Sequence, residues 1–374
     1  MSELLIELFS EEMPPKLQIN ARRQLDKLLR ENLSNLNLKF KNLVVYSTPT
    51  RLTAFVSNIP SKIKISTSEV KGPKEGVPDN IIENFAKSKN LNVSNLYKKK
   101  LEKGIFYFAK IKARVMNTED ELAKSIPKVL KEISWKKSMK WSDYDLNWGR
   151  PLRSILAILD KKTLKFKYSH IEAVNFTFLE EHGEVTEKKI QDFNEYLKFL
   201  KKNDIILSQD ERANFISKKI KYICKKKSYK EIIDQSLLLE VNNLVDKPGV
   251  IVAKFDKKYL KLPKEIIIST LQSHQRYFTL IDSKDRISNE FIIVTNNKDE
   301  KKFIKIGNER VVEARLSDAN FFWERDKSLN LIKQINKLKN VTFYENLGSV
   351  YQKTQRLRKM AYFISDQLGL NKEK

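Results

Sequence analysis

One stretch, from Ser236 to Asp326, constrains the fold more than any other. It begins with an apolar helical run, SLLLEVNNLV, and turns at Asp246, Lys247, Pro248 and Gly249. A strand-like VIVAKF follows, then LPKEIIISTLQSHQRYFTLID, a turn at 283–286 and the apolar EFIIVTNN. GNERVVEARLSDANFFWERD closes it at helical spacing. Helical and strand periods thus alternate within short distances, separated by turns. That order suits small antiparallel or mixed sheets with helices packed on them. The expected fold class is α+β, multi-domain, ending in a helical segment.

The preceding chain reads the same way. Residues 4–9 form a strand, and Pro14 and Pro15 start a helix with Leu17, Ala21, Leu25, Leu28 and Leu29 on one face. Residues 43–46 and 51–59 form a hairpin around Thr48, Pro49 and Thr50, which makes 1–60 a small β-α-β-β element. Glu11 and Glu12 favour a helix N-terminus through its dipole over acid–base chemistry. Arg51 could grip a phosphate or cap a carboxylate, and the residues alone leave both open. Helices are expected over 80–89, 93–100, 119–133, 187–201 and 210–227. A strand is expected over 105–115 and a hairpin from 153–159 and 164–168. The expected domains are 1–60, a basic and aromatic α+β region over 61–235, an α+β region over 236–326, and a helical segment over 327–374.

The 374 residues carry a net charge of +25, and 41% of them are apolar. The chain is long enough for about two or three domains with real cores. The charge points to an anionic partner, nucleic acid first. It is concentrated: residues 61–141 hold 19 basic and 9 acidic side chains, and 236–374 hold 26 and 17. Lysine-rich composition without a binding role is the competing account. No apolar run approaches the roughly 18 residues of a membrane helix. The N-terminus lacks the basic region of a signal peptide. The single Cys224 excludes a disulfide framework and points to the cytoplasm.

Signals for chemistry are sparse. The nine glycines never fall as GxG, and no phosphate loop occurs. His170, His182 and His274 stand apart from one another and from Cys224, so no metal site is expected. No catalytic residue is assigned. Candidates for nucleic-acid binding come from WKKSMKWSDYDLNWGRPLR, where tryptophans mix with cations. They are Lys136, Lys137, Lys140, Trp141, Arg150 and Arg153, since base stacking and phosphate contact need both types. Packing of Trp135, Trp141 and Trp148 into a domain corner is the alternative. His274, Gln275 and Arg276 could read a nucleic-acid end or a small ligand, or form a loop corner. Glu309, Arg310, Glu313, Arg315 and Asp318 share a helix and are expected to form structural ion pairs.

Ordered blocks over nearly the whole chain carry a resemblance. They are IELFSEEMPP, STPTRL (47–52), KGP (71–73) and SMKWSDYDLNWGRP (138–151), then LEVNNLVDKPGVIVAKFDKKYLKLPKEII, HQRYF, GNERVVEARLSDANFFWERD and LKNVTFYENLGSVYQKTQRL (338–357). Together they resemble the β subunit of bacterial tetrameric glycyl-tRNA synthetase. Phe9 and Ser10 depart from the family's Gly and Thr, and Thr50 replaces one member of a basic pair, leaving Arg51. The family's β subunit is considerably longer, so the resemblance covers its N-terminal half, as a piece or a shortened reading frame would. It implies a ligase complex joining glycine to tRNA(Gly), with ATP and Mg2+ used at a separate α subunit and none bound by this chain. It further implies an α2β2 heterotetramer, a non-catalytic role in tRNA binding and scaffolding, and likeness to the editing-type domain of the phenylalanyl-tRNA synthetase β subunit. A stand-alone RNA-binding or scaffold protein, or an editing-type hydrolase, are the alternatives.

Overall fold

The structure, a computed structural model, describes residues 2–370 apart from 66, 90, 112, 182, 183 and 232. It is α+β, built on several small sheets. Strand β1 (Ser2–Ser10) leads into α1 (Pro15–Asn35), β2 (Asn42–Ser47) and β3 (Arg51–Ile59), the expected β-α-β-β order. Pro14 caps α1 and Pro15 is its first residue, where a missing N–H costs nothing.

Strand β1 is a central strand. It pairs antiparallel with β3 on one side and with β9 (Leu152–Leu159) on the other. Its continuous apolar run reflects burial on both faces. Leu4, Ile6 and Leu8 join Leu25 and Leu29 of α1 in one core. Leu5 faces the opposite core with Leu156, Ile158 and Tyr196. Strand alternation puts Glu7 and Phe9 on that second face. The sheet therefore joins residues from the 1–60 element to residues beyond 150.

Between them lies an excursion. Strands β4 (Lys62–Ile65) and β8 (Arg114–Asn117) pair as its stem. A three-stranded sheet of β5 (Ser68–Lys74), β6 (Leu96–Leu101) and β7 (Gly104–Ile111) lies between them, with α2 (Asp79–Ser88). The expected helix over 93–100 is a single 3-10 turn followed by β6, because Tyr97 registers against Phe108 across the sheet. The expected strand over 105–115 divides into β7 and the stem strand β8. Helix α3 (Thr118–Lys131) begins at Asn117, whose side chain accepts from Glu119 N, and its acidic first turn suits the dipole. Leu122, Ile126 and Leu130 return it to the core with α1.

Strand β9 is followed by β10 (Lys162–Thr163), β11 (Lys167–Tyr168) and β12 (Ile171–Val174). Of the expected hairpin partner of β9 over 164–168, Leu164 meets the strand, donating to Ala157 O at 3.0 Å, and 167–168 pair elsewhere as β11. Apart from the short β10, the place beside β9 is taken by β12, which lies parallel to β9. The expected helix over 187–201 is also corrected. Strands β13 (Phe176–Glu181) and β14 (Glu184–Lys189) pair, and α4 (Phe193–Lys202) starts only after Asp192 caps it. Helix α5 (Gln209–Lys227) is as expected, apart from one residue.

The 236–326 region is a sheet between helices. Strands β15 (Gly249–Lys254), β16 (Phe278–Ile281) and β17 (Ile287–Thr295) pair antiparallel, with β17 central. One face packs on α5 and α6 (Gln235–Asn242) through Ile216, Ile220, Leu238 and Ile292. The other packs on α8 (Phe303–Ser328) through Phe291, Val312 and Leu316. Burying one such side chain stabilises by about 1.5–3 kcal/mol. Helix α7 (Lys264–Ile268) runs into a π-helical turn, Ser269–His274. Helix α9 (Leu331–Gln334), a small hairpin of β18 (Thr342–Tyr344) and β19 (Gly348–Ser349), and α10 (Val350–Gln367) end the described chain.

Candidate nucleic-acid interface

The position of Glu7 creates a buried polar centre. Thr177 Oγ1 donates to Glu7 Oε1 at 2.6 Å, and the Tyr196 hydroxyl donates to Oε2. Arg51 Nε lies 3.2 Å from Oε2. Arg51 Nη1 lies 3.6 Å from Asp246 Oδ2, and Nη2 donates to the Phe178 carbonyl. The open question about Arg51 is thus answered: it pairs with carboxylates. Burial pushes the Tyr196 phenol well above its ordinary pKa, and the Glu7 charge adds to this. Arg212 is fully buried and donates to the carbonyls of Asn242, Ile206 and Ser47 at 2.9, 2.6 and 3.0 Å. Burial pushes it down to about 10, against the raising field of Asp246. Arg51, Arg212 and the Gln18 amide, which donates to Asn243 O at 2.6 Å, tie the central sheet to the 236–246 segment.

Beside this centre lies a polar cavity of about 540 Å³, lined by Arg51, Asp246, Glu11, Glu12 and Arg150. Glu11 caps no helix. It lies 3.6 Å from Arg153 Nη1, which also pairs with Glu180, and Arg153 sits over the Phe9 ring. Arg153 is therefore turned to an acidic rim, while Arg150 lines the cavity and donates to Gly149 O at 3.3 Å.

The other candidates in 135–148 divide. Trp148 is buried and Trp135 lies tilted against it at 4.8 Å, so this pair packs the corner. A Cβ at Gly149 would meet the Trp135 ring at 2.5 Å, which explains the glycine. Lys136 and Lys137 are exposed, and Lys140 pairs with Asp145. Trp141 stands edge-on to His170 at 6.1 Å, and the exposed Tyr144 stacks on the same imidazole at 3.5 Å. Burial, then the Lys167 charge, hold His170 below its ordinary pKa. His182 lies outside the described residues.

His274 ends the π-helical turn, and Gln275 is half-buried just after it. Arg276 takes a left-handed φ of 58° and folds back, bonding Glu240 at 3.1 Å and Ser273 O at 2.9 Å. It forms a loop corner. Among the described residues no hydrogen bond, ion pair or ring contact joins 136–141 to 274–276.

The α8 charges do not pair as their spacing predicts. Glu309 accepts from Lys254 N at 2.9 Å, and Glu313 from Asp256 N at 2.7 Å. Strand β15 is an edge strand, and these carboxylates satisfy N–H groups at and just beyond its end. Lys305 is 3.9 Å from Glu309. Among the described residues, Arg310, Arg315 and Asp318 have no oppositely charged side chain within 4 Å.

These bonds leave a groove of about 980 Å³ at the junction of α8, β15 and β17. Four carboxylates line it, and all are engaged. Glu309 and Glu313 hold backbone N–H groups, and Asp256 accepts from Lys258 N at 2.9 Å. Glu290 bonds Lys227 at 2.8 Å and the Tyr229 hydroxyl at 3.0 Å. Burial would raise the Glu290 pKa, yet Lys227 and Tyr229 hold it below the ordinary value. The lining cations Lys254, Lys257 and Arg310 have no carboxylate within 4 Å among the described residues. These three cations can meet phosphates. The sequence signals for this groove were the run KFDKK at 254–258 and the α8 charges Glu309, Arg310 and Glu313, which were expected to pair with one another. Among the described residues no three His, Cys, Asp or Glu side chains are grouped to hold a metal. No described helix is long and apolar enough to cross a membrane.

Comparison with known proteins bears on the whole chain. The family described as glycyl-tRNA synthetase beta subunit matches residues 4–374. The chain is similar to glycine–tRNA ligase beta subunits of Rickettsia felis (32% identical, 98% of this chain) and Dictyoglomus thermophilum (32%, 99%). It is 35% identical to that of Clostridioides difficile over 99% of its length. In each case it covers 55% of the relative, so the chain spans about half the length of the curated relatives it matches. The ordered sequence blocks and the match over 4–374 agree: the chain belongs to the glycyl-tRNA synthetase β-subunit family.

Proposed function

We propose that the protein is a non-catalytic part of a glycine–tRNA ligase that binds tRNA(Gly) and supports the complex. Glycine is activated with ATP and Mg2+ on a separate α subunit, in an α2β2 assembly. The protein acts in the cytoplasm, consistent with its one free cysteine, the buried Cys224. Family membership supports the ligase role. The groove supports the tRNA role, because among the described residues its cations Lys254, Lys257 and Arg310 have no carboxylate within 4 Å. The exposed Lys136 and Lys137 near the Trp141, Tyr144 and His170 stack supply a second basic, aromatic surface.

The test measures tRNA(Gly) affinity against salt. Each phosphate contact contributes roughly 0.7–0.9 to the slope of log K against log salt. Reversing Lys254, Lys257 and Arg310 to Glu is expected to flatten the slope by about 2–3. Reversing Lys136, Lys137 and Lys140 flattens it less, since Lys140 is occupied by Asp145. Unchanged binding in both variants refutes these two surfaces as the tRNA site, and absence of salt-dependent tRNA(Gly) binding by the parent protein refutes the tRNA role. Failure to co-purify with a glycyl-tRNA synthetase α subunit refutes the scaffold role.

A further inference from the structure

Residues 62–117 carry 13 basic and 5 acidic side chains, and neither basic surface described above includes any of them. The three-stranded sheet of this excursion, with β7 central, has two unlike faces. Helix α2 lies against one. A Cβ at Gly72 would meet the Phe85 ring at 2.4 Å, and Ile82 and Ala86 of α2 are buried, as is Ala109 of β7. The opposite face carries Tyr97, Phe106 and Phe108. Tyr97 and Lys71 flank Phe108 from the two outer strands, and Lys99 and Lys74 flank Phe106. The Tyr97 and Phe108 rings are 6.0 Å apart. Phe108 is buried, while Tyr97 and Phe106 are half-buried. Lys71 Nζ lies 3.7 Å from the Phe106 ring centre, and Lys99 Nζ lies 5.5 Å from that of Phe108. Lys99 also pairs with Glu69 at 3.0 Å. Lys71, Lys74 and Lys110 are exposed, with no carboxylate within 4 Å among the described residues. Among the described residues no hydrogen bond, ion pair or ring contact joins the side chains of this face to another element.

We propose that this face binds unpaired RNA, with bases stacked on the Tyr97 and Phe106 rings and the surrounding lysines on phosphates. The occupant must offer flat aromatic faces and repeated negative charge together, and a single-stranded nucleic acid has both. A duplex keeps its base faces inside its own stack, out of reach of a sheet surface. An acidic peptide would use the lysines and leave the rings idle. A second copy of this face would set lysines against lysines. A lysine over a partly exposed ring is held weakly, so a base can take its place on the ring and leave it beside the sugar–phosphate chain. The proposal rests on the tRNA reading only for the choice of RNA over DNA.

The test measures binding of the full chain to a labelled single-stranded RNA of about ten nucleotides and to an RNA duplex of the same length, against salt. The parent binds the single strand more tightly than the duplex. Tyr97→Leu with Phe106→Leu keeps apolar bulk but removes both rings. It weakens single-strand binding by roughly ten-fold or more and leaves the salt slope unchanged. Tyr97→Leu alone, on an outer strand, gives the same reading if the double variant does not fold. Tyr97→Phe binds as the parent does, because a ring remains. Lys71→Gln with Lys110→Gln, both exposed, flattens the slope by roughly 1.4. Unchanged affinity in the ring variants overturns the proposal. So does a duplex bound as tightly as the single strand, an unchanged slope in the lysine variant, or no single-strand binding by the parent. Ring-dependent binding of the oligonucleotide without binding of tRNA(Gly) leaves this face standing and removes the tRNA reading.

Discussion

Arg51 Nε lies 3.2 Å from Glu7 Oε2, with both side chains almost wholly removed from water. Glu7 registers against Thr53 and Arg51 against Phe9, so the two lie diagonally on one face of the paired strands β1 and β3. Asp246, from a distant part of the chain, completes the set at 3.6 Å. A single guanidinium thus joins a carboxylate of the central sheet to one at the edge of the 236–326 region.

Arg51→Met is expected to destabilise the protein by about 3–5 kcal/mol, because it leaves two carboxylates poorly compensated out of water. Urea denaturation measures this. Adding Glu7→Leu to Arg51→Met should restore only part of the loss, since it removes one uncompensated carboxylate but leaves Thr177, Tyr196 and Asp246 without their partners. A single variant within about 1 kcal/mol of the parent would show that water reaches these groups.

Tyr196 gives a pH dependence with a defined sign. Its folded-state pKa is raised by burial and by Glu7, so the folded protein holds the phenol proton more tightly than the unfolded chain. This contribution is complete below the unfolded value of about 10 and is lost as pH rises above it towards the folded value. Tyr196→Phe should therefore be less stable at pH 7, by about 1–3 kcal/mol for the Glu7 bond left unmade. The gap to the parent should narrow above pH 10. Thermal unfolding from pH 7 to 11 reads both, and a gap that widens with pH contradicts the assignment.

Gly149→Ala drives a methyl into the Trp135 ring, which lies against Trp148. The expected cost is about 1–3 kcal/mol from overpacking. Tryptophan fluorescence should shift to the red as Trp135 is displaced. An unshifted spectrum with unchanged stability would mean that the corner yields freely.

How far the sequence could be read follows from the range of the forces involved. The β-α-β-β start was legible because strand and helix periods are local, and Pro14–Pro15 marks the helix start. Helix α5 was legible to within one residue for the same reason. The helix expected over 93–100 gave way mostly to β6, and the one expected over 187–201 lost its first residues to β14 and survives as α4, because pairing with β7 and β13 outweighs weak local preference. The residues around Arg276 left ligand reading and a loop corner both open, and Glu240, on a separate helix, draws Arg276 into the corner. Lys254 and Lys257 lay unremarked in the KFDKK run and Arg310 was expected to pair on its own helix, since only the bonds of Glu309 and Glu313 to the end of β15 turn those carboxylates away from it.

The sequence by itself determined the α+β class, the family through its ordered blocks, and the strongly basic charge. Each depends on residue identity and short spacing, which survive without knowledge of the fold. Tertiary structure alone decided that Arg51 meets Glu7 and Asp246, that Trp135 and Trp148 pack a corner, and that Tyr97 and Phe108 share one face of a sheet. Those outcomes depend on which distant groups share a dry interior or an open surface, and no local pattern of residues encodes that meeting.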